Sequence, residues 1–264
     1  MRPGDVLRIV GNPGADNDIR TELDNRGYEL GFNDLGTTLS DGRRFQVPRD
    51  VTVMVDAGAL FKMRRSWVGV GSVAPGSELD RSGGAFQVVG APIFVDALGN
   101  TLPLDGNFPA ASPLENLDGD GNESAVVHFT SYNDESLGLD TDSSSTTPEA
   151  GNWGGLIFRR DVDNADQTRF SYEGQGIFLD SVNHADIRYG GGEVIVESVS
   201  QTVDPIEIRD GRPTISYNEI SFSRDAAIAA NPDSFLETNF HSPQYQVTPF
   251  TSDYSRIGPS ILRN

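Results

Sequence analysis

A chain of 264 residues is long enough for one large core or two small ones, and its 39 Asp and Glu against 20 Lys and Arg leave a formal net charge of −19. A polyanion of that size is repelled by phosphate backbones and anionic lipid, which argues against nucleic-acid binding and membrane association, and no apolar run approaches the ~20 residues of a membrane span. Cysteine is absent, which excludes a disulfide framework and a thiolate metal site, while 29 Gly and 15 Pro argue against a helical bundle.

The opening residues Met1-Arg2-Pro3-Gly4-Asp5 lead into a short apolar burst at 6–10, not the h-region of a signal peptide, so an exported protein would carry its signal outside this chain. Further bursts follow at 28–32, 51–55, 85–89, 125–130, 155–158, 176–179, 185–189, 193–196, 205–208, 214–222 and 226–230. Each has about the length of a strand and stops at Gly, Pro, Asn or Asp, and no stretch sustains helical periodicity with proper caps. The chain reads as all-β. A sandwich expects regular hairpins, whereas these bursts are unevenly spaced, as in a solenoid whose insertions leave the core as loops. Ile187 and Ile220 lie 33 residues apart in matching settings, and Ile157, Ile177, Ile206 and Ile228 follow at 20, 29 and 22. Asn183 and Asn218 sit at turns beside these strands, where amides of successive coils are able to bond the next coil's backbone.

Four motifs then resemble, in order, a known family. Val51-Thr-Val-Met-Val-Asp-Ala-Gly-Ala-Leu-Phe-Lys62 resembles the VTLTIxxGVxxKF coil of right-handed parallel β-helix proteins, and Gly83-Gly-Ala-Phe-Gln-Val-Val-Gly90 the coil that follows it. Val127-His-Phe-Thr-Ser131 resembles the ITFTS strand, and Gly151-Asn-Trp-Gly-Gly-Leu-Ile-Phe158 the GxWxGIxF strand. The resemblance implies a three-sheeted, pectin-lyase-like β-helix of the kind repeated in large secreted or cell-surface bacterial proteins. It carries over no catalytic residue. On this reading Phe61, Phe86, Phe129, Phe158, Phe178 and Phe222 are core residues that stack from coil to coil. Gly154-Gly155 forms a corner where a Cβ would strike the neighbouring coil. Trp67 and Trp153 are ambiguous, and Trp153 is read either as packing under a loop or as a half-exposed sugar platform.

No nucleophile elbow, phosphate-binding loop, dinucleotide fingerprint or H-E-x-x-H zinc motif occurs, and His128, His184 and His241 are scattered. Acidic runs are more suggestive. Asp118, Asp120 and Asn122 alternate along a glycine-rich segment as oxygen ligands for calcium would, although no glutamate closes an EF-hand. Asp161, Asp163 and Asp166 form a second candidate. The alternative to calcium is a pair of solvated turns. Catalysis on this scaffold would draw on Asp180, Asp186, Arg188, Glu207 and Arg209. An arginine would serve as a lyase base, or two carboxylates would flank a glycosidic bond. Against it, Arg and Asp on stacked strands commonly pair with each other.

Residues 133–152 are too polar to pack and read as a loop, 231–255 as an outer loop, and 257–262 as the start of another coil. The expectation is therefore a single domain over 1–264, with a cap or first coils at 1–44, main coils at 45–230 and an outer loop with a further coil at 231–264. As part of a longer extracellular or cell-surface polypeptide with flanking domains, it would be a non-catalytic structural or adhesin-like module, stiffened by calcium and engaging a polysaccharide or cell-surface glycan. The rival is a polysaccharide lyase or glycoside hydrolase acting on an acidic glycan.

Overall fold

The structure, a computed structural model, describes residues 2, 4–12, 14–15, 24–71, 81, 83–90, 126–139, 147–159, 179–196, 198–209, 211–231, 234, 259–262 and 264. Three parallel sheets account for all but two of its strands. The first sheet stacks β1 (Val6–Ile9), β4 (Thr52–Asp56), β7 (Ala85–Val89), β10 (Ser181–Asn183), β15 (Thr214–Ser216) and β18 (Ser260–Leu262). The second stacks β2 (Tyr28–Gly31), β5 (Leu60–Arg64), β8 (Val127–Ser131), β11 (Ala185–Arg188) and β16 (Glu219–Ser221). The third stacks β3 (Phe45–Gln46), β6 (Val68–Val70), β9 (Leu156–Arg159), β14 (Ile206–Arg209) and β17 (Ile228–Ala230). On each circuit the chain visits the first, second and third sheets in that order, an arrangement compatible with a parallel β-helix. Among the described residues no helix is long and apolar enough to cross a membrane.

Alternation explains the core. In β4 the buried Val53 and Val55 alternate with half-exposed Thr52, Met54 and Asp56, as a strand with one apolar face requires. Parallel register then places like on like. Ile9, Val55, Val88, Val182, Ile215 and Ile261 form one column of the first sheet, and Tyr28, Phe61, Phe129, Ile187 and Ile220 one of the second. Phe61 and Phe129 stack at 4.9 Å and 10°. Side chains from all three sheets meet in a single apolar cluster. The predicted pairing of Ile187 with Ile220 is a direct register contact. So is Ile206 with Ile228, but the neighbour of Ile206 on the other side is Leu156, and Ile157 faces Glu207. Ile177 and Phe178 lie outside the described residues.

Corners carry the rest of the specificity. Tyr217 splits the expected 214–222 run into β15 and β16 by adopting φ 57°. Asn218 follows it: its amide donates to Val182 O at 3.0 Å and its Oδ1 accepts from Ala185 N at 2.9 Å. Asn264 does the same for the next coil, donating to Ile215 O at 3.1 Å and accepting from Asn218 N at 3.1 Å. The asparagine ladder therefore joins Asn218 to Asn264, while Asn183 bonds Ser216 Oγ instead. A Cβ on Gly155 would stand 1.8 Å from Asp204 O, so the expected glycine corner is required sterically.

Two expectations fail for local reasons. Phe222 is 60% exposed, because φ 53° turns it out of the sheet to stack on Tyr189, with ring centroids 4.9 Å apart and planes 9° from parallel. The 193–196 run is not a coil strand. As β12 (Glu193–Val196) it pairs antiparallel with β13 (Val199–Thr202), a hairpin inserted between the second and third sheets. The hairpin packs through Val194 and Val196 against Trp67, Ile157 and Val203, a small cluster separate from the main core.

Candidate functional site

The expected calcium ligands Asp118, Asp120, Asn122, Asp161, Asp163 and Asp166 lie outside the described residues. Among the described residues no group of three or more His, Cys, Asp or Glu is placed to hold a metal ion. The five residues considered for catalysis fall into three groups on three sheets. Asp180 precedes β10 and is 4% exposed; its Oδ1 accepts from Phe86 N at 2.9 Å, and its carbonyl accepts from Thr214 N at 2.9 Å. It ties neighbouring coils of the first sheet together.

Asp186 and Arg188 alternate with the core residue Ile187 on β11, so they point away from the core. Arg188 Nε lies 2.6 Å from Asp186 Oδ2, and His128 Nδ1 lies 3.1 Å from the same oxygen. Burial pushes the Asp186 carboxyl up, but the hydrogen bond and charge of His128 and the Arg188 guanidinium outweigh it, holding the group below the usual carboxylate range. This outer face is covered: Lys62, His128, Thr130 and Asp186 are all buried. Segment 132–139 runs against it. Thr130 donates to Asp134 at 2.6 Å, Lys62 Nζ to Leu139 O at 3.2 Å, and Gly138 sits on Leu60 and Lys62 with no space for a Cβ.

Glu207 and Arg209 lie on the outer side of β14, paired at 2.5 Å. Glu207 also accepts from Asp204 N at 3.2 Å. Burial, then the charges of Glu207 and Asp225, push the Asp204 carboxyl up. The two tryptophans are packed, not displayed. Trp153 is fully buried and donates to Arg188 O at 2.7 Å; Trp67 is 1% exposed and donates to Ile195 O at 2.9 Å, pinning the hairpin. Gly69 makes room for the Trp67 ring, since a Cβ there would stand 2.1 Å from it.

The feature that the sequence did not reveal is a cleft of about 840 Å³ where the chain leaves the second sheet for the third. All five such connections line it. The first brings Phe32, Arg43 and Arg44, the second Arg64, Arg65 and Trp67, and the third Glu149 and Asn152; the fourth is the hairpin, with Glu193 and Ile195, and the fifth brings Arg224. Five arginines face two carboxylates, in a chain of formal net charge −19. Arg43, Arg44, Arg65 and Arg224 are exposed, and among the described residues none of them forms an ion pair with a carboxylate. Arg64 is held by Asp34. That aspartate is placed by a turn in which Asn33 Oδ1 accepts from Leu35 N at 3.1 Å and Thr37 N at 2.8 Å. Arg43 lies over the Phe32 ring at 5.9 Å and Arg44 over Trp67 at 5.7 Å. The guanidiniums are oriented from behind and keep hydrogen-bonding capacity for an anion. The available signal was the pair of doublets Arg43-Arg44 and Arg64-Arg65, each just before a strand of the third sheet.

No family model, curated protein or solved structure shows a significant match to this chain.

Proposed function

We propose that this chain is a module of a right-handed, pectin-lyase-like parallel β-helix in a large exported protein, and that it binds an acidic glycan in the arginine cleft without chemistry. One observation carries the reading: Arg43, Arg44, Arg65 and Arg224 converge on one cleft without a carboxylate partner among the described residues, while acidic residues outnumber basic ones almost two to one. In such a chain the default fate of an arginine is an ion pair, so unpaired ones collected in a concavity favour an incoming anion. The motif series at 51–62, 83–90, 127–131 and 151–158 supports export and a glycan partner by resemblance alone.

The rival reading, a lyase or glycosidase, is less well supported. Arg188 and Arg209 already pair with Asp186 and Glu207, and Asp186 is 3% exposed. Titrating the protein with polygalacturonate, a sulfated glycan and a neutral glucan separates the possibilities. Salt-sensitive binding to an acidic polymer, weakened at least tenfold by Arg65→Glu, is expected; equal or absent binding across the three removes the proposal. Unsaturated products or new reducing ends during the incubation would revive the enzyme. Calcium stabilisation through Asp118, Asp120, Asn122, Asp161, Asp163 and Asp166 rests on the sequence and is proposed with it. A melting temperature that does not move between chelator and millimolar calcium overturns that part.

A further inference from the structure

We propose that the glycan held in this cleft carries closely spaced tetrahedral oxyanion esters, sulfate or phosphate, in preference to one carboxylate per sugar; this rests on the reading of the cleft as a glycan site. Residue type is the first argument. Nineteen of the twenty cations are arginines, and the one lysine, Lys62, is buried under segment 132–139 on the outer face of the second sheet. A guanidinium offers a planar fork of donors, whereas an ammonium offers a point charge.

Spacing is the second. Arg43 and Arg44 lead into β3, Arg64 and Arg65 into β6, and these strands are register neighbours through Phe45 and Val68. Parallel strands stand about 4.8 Å apart, so the four arginines leave the backbone on neighbouring coils, three of them without a carboxylate partner among the described residues. One carboxylate per sugar, planar and with two oxygens, is met by a single fork. An ester with three free oxygens accepts from forks arriving from different directions, which is how the connections of different coils present them.

The third argument is rigidity. Asp34 holds Arg64, the Phe32 ring and Thr38 Oγ1 (3.4 Å) hold Arg43, and the pinned Trp67 backs Arg44. For these three arginines part of the ordering cost is met before a ligand arrives. Glu149 and Glu193 are the only carboxylates lining the cleft among the described residues, too few to bridge a uronate through a calcium ion that takes 6–8 oxygens. Among the described residues, an anion entering the cleft therefore meets mainly guanidinium.

The test uses the full chain and calorimetric titration with chondroitin sulfate, the same polymer after chemical desulfation, and a dextran carrying phosphate monoesters. Chondroitin sulfate is expected to bind at least tenfold more tightly than its desulfated form. The triple variant Arg43→Lys, Arg44→Lys, Arg65→Lys keeps the charge and is expected to lose at least fivefold in affinity at an unchanged salt dependence. Arg224→Lys alone provides the same comparison with less disturbance if the triple variant melts early. A phosphate polymer that binds as tightly as the sulfated one also supports the proposal and assigns phosphate as a source of the ester. Equal affinity for sulfated and desulfated polymer, or undiminished affinity in the lysine variants, overturns the ester preference while leaving the cleft as a glycan site. Binding of none of the three polymers overturns both readings.

Discussion

The outer face of the second sheet and the cleft beside it hold similar residue types in opposite states. On the second sheet, Arg188 is answered by Asp186 and Asp186 by His128; Arg188 is half-buried, while Asp186 and His128 are buried together with Lys62 and Thr130. In the cleft, Arg43, Arg44, Arg65 and Arg224 stand exposed and form no ion pair with a carboxylate among the described residues. Compensated, buried charge fixes a structure, because removing either partner strands the other in a poor solvent. Uncompensated, exposed charge costs the fold little to lose and is available to a ligand. The two regions should respond to mutation in opposite ways, and that contrast is open to direct test.

The largest effect is expected at Asp186→Ala. It leaves His128 and Arg188 without their shared oxygen in a buried setting and should lower unfolding free energy by about 3–5 kcal/mol in denaturant titration. Arg65→Ala or Arg224→Ala should move the same titration by less than about 0.5 kcal/mol while abolishing most acidic-glycan binding. If the cleft variants destabilise as much as the β11 variant, the contrast collapses and the arginines are structural. Next in size comes Trp67→Ala. Truncating a buried tryptophan costs about 3–5 kcal/mol in a core, but Trp67 belongs to a small outlying cluster, so the lower end is expected. Its distinguishing sign is coupling: the hairpin loses its hydrogen bond to Ile195 O, so proteolysis within β12–β13 should rise together with loss of binding.

A smaller effect is expected at Asn218→Ala. The side chain satisfies Ala185 N and Val182 O of the preceding coil and bonds Asn264 of the next. Leaving those buried groups unpaired costs about 1–3 kcal/mol. Asn183→Ala, whose side chain bonds the Ser216 hydroxyl and the His184 ring and, among the described contacts, no buried backbone group, should cost less. A ranking in which Asn183 matters more would put the ladder at Asn183 instead of at Asn218 and Asn264.

These residues also show what a sequence makes legible. The stacking of Phe61 on Phe129 and the match of Ile187 with Ile220 were readable because alternation and turn chemistry are local, and stacking merely repeats them. Gly155 was readable for the same reason, since only a glycine tolerates a carbonyl at that approach. The ladder partner of Asn218 was not, because Asn264 lies 46 residues further along the chain and no spacing announces it. Phe222 and the 193–196 run carry ordinary strand chemistry, and nothing local tells a coil strand from a corner residue or an external hairpin. The cleft was least legible of all. Its arginines come from the connections of three different coils, each unremarkable alone, and only the superposition of coils makes them one site.

The smallest expected effect concerns pH, and it separates a packed titratable group from a displayed one. His184 holds φ 50° at the corner before β11, its ring stacked on Tyr217 at 5.2 Å and 5° and hydrogen-bonded to Asn183. Burial pushes its pKa below the ordinary 6.5. For a base depressed in the folded state, the unfolded chain takes up the proton first as pH falls. The contribution is therefore full above about 6.5, declines as pH drops through that value, and levels off below the folded pKa. The Asp186 carboxylate behaves separately: its contribution is full above its ordinary 3.8 and is lost only as pH falls through its lowered folded value. Asparagine tolerates the left-handed backbone, so His184→Asn removes the titration and the ring stack while keeping the corner. At pH 7.5 the variant should be somewhat less stable than the parent, and the gap should shrink by pH 5.5 because only the parent loses stability over that interval. A gap that stays constant or widens means that the ring is not held neutral by packing, and that the corner stack is as open to water as the cleft.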